Sequence, residues 1–182
     1  MTVDWSVPTP IEFDPDALRM RLSQLLAPVL TIELSWYALD GAYPKPGAYL
    51  RGDRSSQAPP PPTEDNPVVL GDHVRGCNVT ISTDFGEFGP GYRVSPMRNL
   101  VSWVVALLAA GCIAELTDAQ VFDDPEITGR RLLAPAELLE TVRALRRQDG
   151  ETMESTLIRI ADAIGAPTLA DPWRPRPPDP PV

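Results

Sequence analysis

Five carboxylates, Glu115, Asp118, Asp123, Asp124 and Glu126, gather along one short stretch of the chain. Hard oxygen ligands of this kind can hold Mg²⁺ or Ca²⁺, and a pair of them can divide the roles of general acid and base. The spacing is not that of an EF-hand, and turns of an acidic protein collect aspartates for solvation alone. A solvated acidic rim is therefore the expected reading. Such a rim is also a docking surface for a basic protein partner, because charge complementarity speeds encounter and selects partners.

The other reactive groups are few. His73 is the only histidine, and it stands in Gly71-Asp72-His73 with no G-x-S-x-G nucleophile sequence beside it. That pattern suits an exposed loop histidine. Cys77 and Cys112 form no C-x-x-C pair, so one imidazole and two isolated thiols make no structural zinc site. Both cysteines are expected in strands, as free, buried thiols first and as a disulfide between adjacent strands second. Gly86, Gly89 and Gly91, with Arg93, precede a helix N-terminus, where free N–H groups can bind anions. Neither a Walker sequence nor G-x-G-x-x-G is present, so a plain loop is expected. The tail carries Arg174-x-x-Pro177-x-x-Pro180, which fits a polyproline ligand but arises readily in so proline-rich a segment. Trp173 is expected to pin the tail to the domain. No catalytic residue, metal or cofactor is assigned.

These residues hang on a central apolar segment, Ser95 to Leu116. Ser95 and Pro96 suit the N-cap and first position of a helix over 96–110. Nearly every residue from Leu100 to Ala110 is apolar, so the helix should be buried all round. Gly111 reads as its left-handed stop, and 112–116 as a short strand. Upstream, residues 1–13 read as an extended arm. Asp14-Pro15-Asp16 opens a helix whose apolar face is Leu18, Leu22, Leu25 and Leu26. Alternation predicts strands over Val29–Leu39 and Val74–Thr83, and a shorter one is expected over Ala119-Gln120-Val121-Phe122. Downstream, Pro135 opens a helix with Leu138, Leu139, Val142 and Leu145 on one face. The last helix carries Met153, Leu157, Ile160 and Ile164, ended by Gly165 and Pro167.

The pattern predicts one α+β domain over 1–170, interrupted by a mobile proline-rich insertion at 41–66 and followed by a proline-rich tail at 171–182. Its sheet is expected to be small, antiparallel or mixed, of about four strands, with the 96–110 helix on one face. At 182 residues and 43% hydrophobic content the chain can form a real core. A formal net charge of −9 argues against nucleic acid or an anionic membrane as partner. The 100–110 run is about half the ~20 residues that span a bilayer. No secretory leader is legible, and the expected compartment is the cytoplasm.

From 79 to 145 the order is VTIST, then LVSWVVALLAAG, CIAEL, the acidic turn DD, and PAELLETV. This succession resembles the small bacterial α/β immunity proteins encoded beside polymorphic toxins. The resemblance implies a non-catalytic role, binding a toxin domain and occluding its active site. Two functions follow as expectations: a protein-binding module of this immunity type, or a metal-dependent hydrolase using the 115–126 carboxylates.

Overall fold

The computed structural model describes residues 4–37, 54–55, 58–63, 66–84, 89–123 and 132–165. In chain order the elements are β1 (Trp5–Pro8), α1 (Pro15–Leu26), β2 (Ser35–Tyr37), β3 (Arg54–Ser55), β4 (Val68–Asp72), β5 (Cys77–Asp84) and β6 (Gly91–Pro96). There follow α2 (Leu100–Leu116), β7 (Val121–Phe122), β8 (Leu132–Leu133), α3 (Pro135–Ala144) and α4 (Met153–Ala163). The fold is α+β, but the expected sheet of about four strands is corrected. Eight strands among the described residues form one sheet in the order β3-β2-β4-β5-β6-β1-β7-β8, and every pairing is antiparallel.

Part of that difference comes from the N-terminal arm. Trp5–Pro8 is not laid on the domain; it is a strand seated between β6 and β7, with Trp5 opposite Val94 and Ser6 opposite Phe122. Trp5 and Val7 point inward and are fully buried. Gly91 makes this pairing possible, since a Cβ there would stand 2.4 Å from the Val7 carbonyl oxygen. The two long strands read from alternation are also shorter than expected. Of 29–39, only Ser35–Tyr37 pairs among the described residues, and residues 73–76 form a turn ahead of β5. The Asp72 carboxylate organises that turn by accepting from the Val74, Arg75 and Glu33 backbone N–H groups.

The central helix runs over 100–116, not 96–110, and residues 112–116 belong to it rather than to a strand. Ser95 and Pro96 lie in β6. Asn99 is the N-cap instead, its side chain accepting from Ser102 N–H at 2.8 Å. Gly111 does not stop the helix. It sits in mid-helix, where a Cβ would approach Leu138 Cδ2 to 2.8 Å, so its missing side chain lets α3 close on α2. The cost of glycine inside a helix, about 1 kcal/mol, is offset by that packing. The stop is Asp118, at φ 52°, followed by an Ala119 N–H to Ala114 carbonyl bond that closes the last turn.

Every residue from Val101 to Ala114 is buried. The cause is a three-layer arrangement: α2 packs on one sheet face against β5, β6, β1 and β7, while α1, α3 and α4 cover its other side. That accounts for a helix without a polar face. The apolar faces read for α1, α3 and α4 point into the same core, with Leu18, Leu22, Leu139, Val142, Leu157 and Ile160 buried. No helix among the described residues is long and apolar enough to cross a membrane. Of 41–66, Arg54–Ser55 is an edge strand, and 58–63 and Asn66 are described; the rest of that insertion and the whole 171–182 tail lie outside the described residues.

The start of α4 is pinned by a two-pronged pair: Arg159 Nε and Nη2 donate to the two Glu151 carboxylate oxygens at 2.8 and 2.7 Å. Arg159 holds the Glu151 carboxyl down at about 2. A depressed carboxylate contributes stability that is present above its ordinary range and lost as pH falls through the folded value. Carboxyl ¹³C NMR is expected to find Glu151 titrating near 2; a midpoint at its ordinary 4.5 would refute this pairing in solution.

Candidate functional site

The five carboxylates do not form one rim among the described residues. Glu115, in the last turn of α2, is clasped by Arg21 of α1 and Arg143 of α3, the latter donating at 2.9 and 3.3 Å. Two remote guanidinium groups thus take up the charge that an acid at a helix C-terminus places unfavourably. Asp118 serves the left-handed closing position described above, with its side chain exposed. Asp123, just past β7, is buried at 6% exposure. Asp124 and Glu126 lie outside the described residues. Among the described residues, no three His, Cys, Asp or Glu side chains come together as metal ligands would.

The lone histidine lies in the turn between β4 and β5, where its ring stacks flat on Tyr37, centroids 4.0 Å apart and planes 7° from parallel. Gly91 and Arg93, read as part of a glycine-rich loop before a helix, belong instead to β6. Arg93 Nη2 pairs with Asp84 at 2.8 Å, and Gly86 lies outside the described residues. Cys77 and Cys112 are free and buried, as their apolar neighbours suggest; Cys77 stands in β5, but Cys112 stands in α2 and not in a strand. Burial pushes both thiols up to about 12, helped by the nearby charges of Asp72 and Glu115 respectively. A thiol-reactive disulfide reagent at pH 8 is expected to leave both unmodified in the native protein and to titrate both after unfolding. Rapid native labelling would contradict the burial of Cys112.

A different surface stands out once the layers are in place. All the helices described lie on one side of the sheet, α2 against it and the others behind α2. Along β5 burial alternates, with Cys77, Val79 and Ile81 inward and Asn78, Thr80 and Ser82 outward and partly exposed. Strand register carries this second face across the sheet. Phe122, Ser6, Arg93 and Ser82 stand abreast on β7, β1, β6 and β5. Ser95 and Thr80 are abreast in the next row, which continues to Val69 and Tyr37. The face closes toward β4 and β2, where Val69 and Ser35 are buried. Its more open half is a shallow pavement of short hydroxyl side chains around one ion pair, with Phe122 at its margin.

Such a surface offers donors and acceptors on side chains that lose little rotamer freedom when covered. The recess that Ser6, Pro8 and Asp84 line at its edge holds only about 10 Å³, far less than a small-molecule pocket, which favours a macromolecular contact. Sequence alternation exposed the outward set on β5. The contribution of β1 was hidden, because four residues at the N-terminus give no sign of where they pair. No family model matches the chain, and no curated protein or solved structure matches it either.

Proposed function

We propose that this protein is a non-catalytic binding module that receives a protein partner on the Ser/Thr-paved half of its sheet. The observation that carries this reading is the two-sidedness of the sheet. One face is sealed by α2 and its helical layer, while the described part of the other presents Ser6, Thr80, Ser82 and Ser95 around the Arg93–Asp84 pair. An antiparallel sheet whose second face is partly open to solvent is stable as such, so that open half is free to evolve for recognition. The net charge of −9 favours a basic partner, through faster encounter and rejection of acidic competitors.

The resemblance of 79–145 to toxin immunity proteins supplies the kind of partner: a basic toxin domain whose active site is covered in the cytoplasm of the producing cell. The acids first read as the docking rim are not needed in this form of the proposal, since Glu115 is already held by two arginines. The test is co-expression with a toxin encoded beside this gene. Protection and a stable complex are expected, and both should be lost in a Thr80→Arg/Ser82→Arg variant that keeps its fold. Protection that survives the double substitution would place the contact elsewhere.

A further inference from the structure

On the helical side of the molecule, away from the sheet face, a cleft of about 400 Å³ opens between α1, α2 and α3. Arg21, Gln24, Leu25, Cys112 and Arg143 line it. Its charge is uneven. Arg21 and Arg143 each bind Glu115, so two guanidinium groups meet a single carboxylate, and one positive charge is left over. Each arginine side chain is nearly half exposed, at 45% and 46%, so unused N–H groups face solvent. A guanidinium carries five donors in a rigid fork, and the bonds to Glu115 use three of the ten available here. Beside this cationic edge, Leu25 and the Cys112 thiol, both nearly covered, supply a small apolar patch.

We infer that this cleft binds a small organic carboxylate, its charged group on Arg21 and Arg143 and its apolar body against Leu25. Glu115 shows the geometry at work, since it is itself a carboxylate held by one nitrogen of each guanidinium. The volume lies within the range of small-molecule sites, roughly 300–1,000 Å³. Glu115 then has two opposed effects: it orients the arginines, and its charge weakens the hold on an incoming anion. This gives the site a signature that a merely structural ion pair lacks. Neutralising Glu115 should tighten binding, whereas neutralising either arginine should weaken it.

Isothermal titration of the full chain with benzoate, and with benzamide as its neutral counterpart, tests this directly. Saturable benzoate binding is expected, with benzamide weaker by roughly tenfold or more. Arg143→Gln should weaken benzoate binding by a similar factor, and Glu115→Gln should strengthen it several-fold. Far-UV circular dichroism checks that each variant is folded, and Arg21→Gln serves if Arg143→Gln is not. Inorganic phosphate, run in parallel, separates a carboxylate site with an apolar patch from a bare anion site. Benzoate that does not bind, binds no better than benzamide or phosphate, or binds equally well to the arginine variants overturns the inference. So does a Glu115→Gln variant with weakened binding.

Discussion

Trp5→Ala is expected to remove about 3–5 kcal/mol of stability, the range for deleting a large aromatic from a packed core. The indole is fully buried and meets Trp103 edge-on, centroids 6.4 Å apart at 87°. Such a pair adds roughly 0.5–1.5 kcal/mol beyond the area it buries. Trp5 also anchors β1, the strand that joins β6 to β7. Its loss therefore loosens the sheet as well as leaving a cavity. Natural domains hold about 5–15 kcal/mol in all, so this one substitution takes a large share. Trp5→Phe should cost clearly less: among the described residues the indole N–H has no acceptor, and phenylalanine removes that buried donor while keeping most of the ring. Urea unfolding followed by circular dichroism reads both. A Trp5→Ala unfolding free energy within about 1 kcal/mol of the parent's would mean that β1 is not an integral strand.

The second large effect is expected on binding rather than folding. Thr80 and Ser82 point away from α2 and are only partly buried, so Thr80→Arg/Ser82→Arg should leave the melting temperature within a few degrees. Placed at the centre of the proposed contact, two long cationic side chains would hold a partner off the sheet and repel a basic surface. A loss of 100-fold or more in affinity is expected, about 2.7 kcal/mol or above. Glu140→Arg, at an exposed position of α3, serves as the control that should bind normally. Equal losses in both variants would point to overall charge, and no loss in the double variant would exclude the face.

Much of the helical layer is legible in the sequence because its signals are local. Asp14-Pro15 opens α1 and Pro135 opens α3, while Gly165, at φ 71°, follows α4. The apolar spacing within each helix then selects its buried face. What failed depends on distant residues. Gly111 looks like a stop until Leu138 and Leu139 are seen to need its space. Asp118, in the left-handed position where glycine is more usual, gives no comparable signal. Trp5–Pro8, short and ending in proline, acquires its strand character only from β6 and β7. The candidate site follows the same rule. Acid spacing along the chain could not reveal that Glu115 is claimed by Arg21, 94 positions away. The alternation in β5 did mark its outward residues, but only the layer order shows that the helices gather on the opposite side.

Threonine methyl NMR of the complex with the neighbouring toxin addresses the binding face most directly, because Thr80 lies on the proposed contact and Thr141 lies on α3. Titration is predicted to shift or broaden the Thr80 methyl signal while leaving that of Thr141 in place. A complex that forms with Thr80 unmoved and Thr141 perturbed would put the partner on the helical layer and contradict the assignment of the sheet as the recognition surface.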